Sequence, residues 1–112
     1  MAQKAKFRVI IKANGDAVVR PPSDTAEKGN SKAVWFRNMT AAPIHVQVPP
    51  GVFTSPKTVH VIPAFDTLPA GSDSIELTVV AGVKGVYSFR VFCEETFSFA
   101  QGNSDPEFII EN

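Results

Sequence analysis

Apolar and polar residues alternate along most of the chain with a period of two, which is typical of β-strands that bury one face. The alternating segments are rich in Val, Ile, Thr and Phe, the residues that favour strands. No segment has the spacing of an amphipathic helix. We therefore predict seven or eight strands, drawn from residues 5–12, 16–21, 32–39, 44–49, 58–62, 74–81, 85–93 and 107–112.

Turn residues separate these segments. Asn14 and Gly15 favour a type I′ turn, so we expect residues 16–21 to fold back beside residues 5–12. Five prolines between residues 49 and 71 interrupt strand ladders and predict an irregular excursion, with a short edge strand at 58–62. Short strands that each bury one face indicate an all-β, two-sheet antiparallel sandwich.

We expect one domain over residues 1–112, because this length is sufficient to bury a core without disulfides or a structural metal. Alternation does not decide whether Trp35 or Phe36 points inward. One of them should join the other predicted core residues, which are Val46, Leu77, Val79, Tyr87 and Phe89.

Charge and cysteine content narrow the possible partners. Eleven basic and eleven acidic side chains give a formal net charge of zero, which argues against binding to nucleic acid or to an anionic membrane surface. The apolar run near the N-terminus is far too short for a signal peptide or a membrane span, so we expect a soluble chain with no membrane insertion. The single cysteine, Cys93, excludes an internal disulfide.

The order of several motifs resembles the cupredoxins, the plastocyanin-like Greek-key sandwiches. Residues 18–46 resemble the first half of that family, "KGVYSF" at 84–89 its penultimate strand, and "EFIIEN" at 107–112 its closing strand. The matching positions in the first half are Pro21, Gly29, Val34 to Phe36, Asn38, Pro43 and His45. The resemblance covers nearly the whole chain. It implies a periplasmic or extracellular location if a signal peptide has been removed.

Cupredoxins transfer electrons at a copper ion that is held by two imidazoles, a thiolate and a weak axial ligand. By resemblance, His45 would supply one imidazole, Cys93 the thiolate and Gln101 the axial ligand. The segment after the cysteine, "EETFSFAQG" at 94–102, contains no histidine, and Thr96 stands where the second imidazole is expected. The only other histidine, His60, lies on the predicted edge strand.

Plainer roles are available for each of these residues. Cys93 shares the facing of Tyr87, Phe89 and Val91, which indicates a packing residue, and Glu94 and Glu95 behind it disfavour a thiolate. The two histidines are interpreted as half-exposed strand residues. Asn38 begins a formal glycosylation sequon, and we expect it instead to shape the end of its strand.

Catalytic motifs are missing from the sequence. It has no G-x-S-x-G, H-E-x-x-H or C-x-x-C pattern and no Gly-rich phosphate loop, and the aspartates Asp66, Asp73 and Asp105 fall in predicted loops where solvated charge is expected. We therefore do not expect an enzyme.

Two hypotheses for function follow. The preferred one is a metal-free cupredoxin-like module for binding or assembly, which meets a protein partner or a second copy of itself. Its interaction surface would lie near "TFSFAQG" and "AAPIH" and include Ile44, Phe97 and Phe99. These two phenylalanines either pack inward over the place of the copper or face water as an apolar patch. The alternative is a copper protein for electron transfer or copper handling with a non-standard site.

Overall fold

The computed structural model describes residues 4–26, 32–101 and 105–111. Gly29 and Gly102, which belong to segments named above, lie outside these ranges. The described residues form eleven strands and no helix, so none could cross a membrane as a helix. The strands are β1 (Ala5–Ile11), β2 (Ala17–Arg20), β3 (Ser23–Ala26), β4 (Ala33–Asn38), β5 (Ile44–Gln47), β6 (Val59–Ile62), β7 (Ser74–Thr78), β8 (Gly85–Ser88), β9 (Arg90–Cys93), β10 (Ser98–Phe99) and β11 (Glu107–Ile110).

The predicted all-β sandwich is confirmed, but the described residues form eleven strands in three sheets, where seven or eight strands in two sheets were predicted. The sheets have the strand orders β2-β1-β4-β7, β10-β9-β5-β6 and β3-β11-β8. The predicted strand at 85–93 is divided into β8 and β9 at Phe89, and these two strands belong to different sheets. One continuous segment therefore joins the three-stranded sheet β3-β11-β8 to the four-stranded sheet β10-β9-β5-β6. β3 and β10 are the other additions. The sequence of β3, SDTA, is mostly polar and β10 has only two residues, so neither shows a clear alternation.

The expectation of purely antiparallel pairing is wrong for two pairs of strands. β1 pairs with β4 in parallel, and β3 pairs with β11 in parallel. Parallel neighbours need a crossover connection between them. β2 and β3 lie between β1 and β4 in the chain, so the connection between these two parallel strands is long enough to be a crossover. The alternation of residues within a strand indicates which face of the strand is buried. It does not indicate whether the neighbouring strand runs parallel or antiparallel.

The first hairpin forms where it is predicted, with a different turn. β1 and β2 pair antiparallel, and the Lys12 amide donates to the Asp16 carbonyl at 2.8 Å, which closes a three-residue loop. Among the residues of this loop only Gly15 has a positive φ, 94°. A type I′ turn needs positive φ at both central residues, so the expected turn type is wrong and the hairpin uses the longer loop with one left-handed glycine.

Four phenylalanines form the centre of the core. The centroid of the Phe89 ring lies 4.8 Å from that of Phe7, 5.1 Å from that of Phe36 and 5.9 Å from that of Phe108. Phe7 and Phe36 belong to the sheet β2-β1-β4-β7. The sheets are thus packed face to face through aromatic contacts. The predicted core is confirmed, with Phe36 rather than Trp35 pointing inward and with Tyr87 only half-buried.

Asn38 ends β4 and is fully buried. Its side-chain nitrogen donates to the carbonyls of Ala42 at 2.8 Å, Pro63 at 3.0 Å and Ile62 at 3.2 Å. Its side-chain oxygen accepts from the amide of Thr40 at 2.8 Å and from the hydroxyl of Thr40 at 2.7 Å. Asn38 therefore fixes the loop that leads into β5. Its side-chain nitrogen is buried and hydrogen-bonded to backbone carbonyls, so it cannot accept a glycan in the folded chain.

Candidate functional site

Cys93 is a core residue, as the alternation predicts. It lies opposite Ile44 in the antiparallel pair of β5 and β9, and both side chains are completely buried. Burial raises the pKa of the thiol to about 11, and the negative charge of Glu95 acts in the same direction. The thiol therefore stays protonated at neutral pH, and the thiolate that binds metals or attacks electrophiles is disfavoured.

His45 and Cys93 project from opposite faces of the same sheet. Cys93 is inward with Ile44, whereas His45 lies opposite Phe92 and points outward. The Nε2 atom of His45 lies 2.7 Å from a carboxylate oxygen of Glu94. Since adjacent residues of a strand face opposite sides, these two predicted ligands do not converge on one ion.

The other two predicted ligands lie elsewhere. Gln101 forms an isolated β-bridge with Val18 of the sheet β2-β1-β4-β7. The backbone amide of Gln101 donates to the Ala17 carbonyl at 2.7 Å. His60 faces inward on β6 opposite Val46, and its buried Nε2 atom has no hydrogen-bond partner among the residues that the structure describes. Burial lowers the pKa of His60. Within the described ranges no group of three His, Cys, Asp or Glu residues is placed to hold a metal, so this donor set does not fit a copper ion.

The outward side of the sheet β10-β9-β5-β6 presents two phenylalanine rings, an imidazole and a valine in a row. Phe99, Phe92, His45 and Val61 are successive cross-strand neighbours in that register. Their side chains lie on the same side of four adjacent strands, where such pairs contact each other. We call this surface, together with Phe97, the outer face.

Phe97 is the most exposed aromatic residue of the described chain, with 83% of its surface accessible. It ends the tight β9–β10 loop, where its amide donates to the Glu94 carbonyl at 3.2 Å. Its φ of 52° is in the left-handed region, which is costly for a bulky residue and is usually occupied by Gly or Asn. The ring stands edge-on to that of Phe92, with centroids 5.6 Å apart.

Phe99 also lies on the outer face. Its ring is 5.3 Å from that of Phe92, again edge-on, and the guanidinium of Arg90 lies 4.0 Å above it. Arg90 in turn approaches Asp105, with 3.9 Å between the charged atoms. The alternative in which Phe97 and Phe99 pack inward is therefore wrong, because both rings contact Phe92 on the outer face. Ile44 was predicted as part of the surface and is instead buried beneath it. Ile44 and His45 are adjacent in β5, so their side chains face opposite sides of the sheet.

The segment "AAPIH" at 41–45 contacts the two glutamates that precede "TFSFAQG". The amide of Ala41 donates to a Glu95 carboxylate oxygen at 2.6 Å, and the amide of Glu94 donates to the Pro43 carbonyl at 3.1 Å. These bonds place the carboxylates of Glu94 and Glu95 at one end of the outer face. The outer face thus combines exposed rings with an acidic margin.

Sequence reasoning missed the residue at the centre of the outer face. Phe92 contacts three rings, those of His45, Phe97 and Phe99. The alternation of β9 could have identified Phe92. Val91 and Cys93 face inward, so the residue between them must point outward. Val61 was missed because strand β6 lies in the proline-rich excursion, where alternation is short.

A shallow groove of about 470 Å³ lies beside β4, outside the outer face. Its wall includes Arg37, which donates to Asp73 at 3.2 Å, and the amide of Asp66 donates to the same carboxylate oxygen at 3.1 Å. These hydrogen bonds lower the pKa of Asp73, with the Asp66 amide as the largest cause. The expected solvated charge is wrong for Asp73, which is buried and ties the proline-rich excursion to β4.

Comparisons with known proteins give no family. Neither the models of protein families nor the curated protein sequences contain a match to this chain. The candidate site therefore depends on its geometry alone.

Proposed function

We propose that this chain is a non-catalytic, cupredoxin-like module for binding or assembly, and that it meets a protein partner through the outer face. The observation that carries the proposal is the conformation of Phe97. A large apolar ring is held in water by a left-handed backbone that disfavours it. The stability of the isolated chain does not explain this arrangement, whereas a partner that covers the ring does.

The neighbours of Phe97 support the same conclusion. Phe92 and Phe99 hold a rigid aromatic surface around it, and aromatic residues with an adjacent arginine are enriched in the energetic centres of protein interfaces. Glu94 and Glu95 supply a polar margin of the kind that surrounds such centres. The residues expected to matter most for binding are therefore Phe97, Phe92 and Phe99.

Replacing Phe97 with serine should leave the melting temperature nearly unchanged, because the ring is exposed and serine relieves crowding at a left-handed position. The same change should weaken self-association or partner capture at least about tenfold if the ring is an interface anchor. Thermal denaturation and sedimentation across a concentration range, with partner capture on immobilised chain, measure the two effects.

Leu68→Ser is the matched control, since Leu68 is 82% exposed and lies in the groove beside β4 rather than on the outer face. It should alter neither stability nor association. A sharp fall in melting temperature for Phe97→Ser would show that the ring fills the core. Equal association of the Phe97→Ser and Leu68→Ser variants would refute the outer face as the interface.

The copper alternative has its own test. Incubation with Cu(II) should produce no intense visible band, because Cys93 is buried with a raised pKa and faces away from His45. His45→Ala should leave the spectrum unchanged. An intense charge-transfer band that disappears in Cys93→Ser would instead establish copper binding and overturn the metal-free proposal.

A further inference from the structure

Strand β6 is an edge of its sheet with a free row of backbone groups. Among the strands of the described residues it pairs only with β5, in the register Val46 to His60 and Gln47 to Val59. The Val48 amide donates to the Thr58 carbonyl at 2.9 Å, so Thr58, His60 and Ile62 direct their backbone groups toward β5. The amides and carbonyls of Val59 and Val61 therefore point away from the sheet, and no residue in the described ranges pairs with them.

Natural edge strands are usually protected from pairing with another chain. Charged residues, proline within the strand, a bulge or a covering loop serve this purpose. The four residues of β6, Val-His-Val-Ile, include no proline and no Lys, Arg, Asp or Glu. Val59 and Val61 instead expose 45% and 56% of their surface on the outer face. This edge has the chemistry of a strand that is open for pairing.

We infer that β6 pairs antiparallel with β6 of a second copy, around a two-fold axis at His60. This inference goes beyond the proposed partner binding at Phe97, and it rests on the free backbone groups of β6 rather than on the rings of Phe92, Phe97 and Phe99. In this register Val59 lies opposite Val61 of the second copy, and the outward amide and carbonyl of each valine meet those of the other. The strand is self-complementary because the same two residues supply every donor and acceptor, as an isologous interface requires.

Charge favours a second copy as the occupant. Lys57 is the only charged residue between Pro56 and Pro63, and the two-fold register places it opposite Pro63 of the second copy. No pair of like charges is brought together, and the only ionisable pair at the axis is that of the His60 side chains. Burial lowers the pKa of His60, so these imidazoles are neutral at physiological pH.

Pairing would also extend the outer face. The row Phe99, Phe92, His45 and Val61 would continue into Val59 of the second copy, which joins two four-stranded sheets into one of eight. The exposed surface of Val59 and Val61 would be covered in part by side chains of the same kind. The dimer would then present two Phe97 rings on one continuous sheet.

The test uses Val61→Pro, which removes an outward amide that has no partner in the described part of the monomer. The intact chain should show concentration-dependent dimerisation in sedimentation equilibrium. Val61→Pro should raise the dissociation constant of the dimer roughly tenfold or more, because two symmetry-related hydrogen bonds are lost. Val61→Thr keeps both the amide and the branched side chain, and should dimerise like the intact chain.

Val61→Lys is a second variant for the same test. It retains the backbone amide and places a lysine charge at the paired edge of each copy, so it should also weaken the dimer by repulsion. Thermal denaturation of dilute samples verifies that each variant is folded. A monomeric intact chain at all concentrations, or equal dimerisation of the proline and threonine variants, would overturn the inference. If Phe97→Ser abolishes self-association and Val61→Pro does not, the inference fails while the proposed role of the outer face stands.

Discussion

Replacing Phe89 with alanine is expected to lower the free energy of unfolding by about 3 to 5 kcal/mol, as is usual when a buried aromatic side chain is deleted. Only 1% of Phe89 is exposed, and its ring contacts those of Phe7 and Phe36 across the sandwich. The deletion therefore removes the contact between sheets and leaves a cavity. Equilibrium unfolding in urea measures the loss, provided that the slope of the transition is unchanged.

Phe97→Ala is the matched control for this experiment. It makes the same chemical change at an exposed ring and should cost no more than about 0.5 kcal/mol. A loss below about 1 kcal/mol for Phe89→Ala would mean that this segment faces water, which would contradict the core described above. The position also joins β8 to β9, so Phe89→Leu, which retains most of the volume, should cost about 1.5 kcal/mol or less.

The facing of residues along each strand could be predicted from sequence, and the surface of the candidate site could be predicted only in part. Alternation placed Val46, Leu77, Phe89 and Cys93 inward because one face of each strand is buried. It left Trp35 and Phe36 unresolved, since both are large and apolar. The structure resolves this pair by placing Arg8 5.6 Å above the Trp35 ring on the outward side.

The loops after the strands show why the rest could not be predicted. Phe97 and Phe99 were recognised as one pair, but whether they face the core or water depends on how β10 pairs with β9, which the sequence does not specify. Asp73 was taken as solvated because its loop is polar, and only the tertiary contact with Arg37 and the Asp66 amide buries it. Long-range partners of this kind leave no local pattern.

Asn38 carries the other large effect on stability. Asn38→Ala should lower the free energy of unfolding by about 3 kcal/mol or more, because the buried amide of Thr40 would lose its acceptor, the carbonyl of Pro63 would lose its donor, and the carbonyl of Ala42 would keep only the hydroxyl of Thr40. Asn14→Ala is the control. Asn14 lies in the exposed first hairpin, and its loss should cost about 1 kcal/mol or less.

Asn38→Asp separates the hydrogen bonds of this residue from its volume. The two side chains have nearly the same shape, but aspartate replaces the donating nitrogen with an oxygen that faces the carbonyls of Ala42, Ile62 and Pro63. The oxygen that accepts from Thr40 is retained. Asn38→Asp should therefore destabilise at least as much as Asn38→Ala in urea unfolding at neutral pH, since a buried acceptor facing acceptors is unfavourable. Near-normal stability of Asn38→Asp would show that the three donated hydrogen bonds do not hold this loop in place.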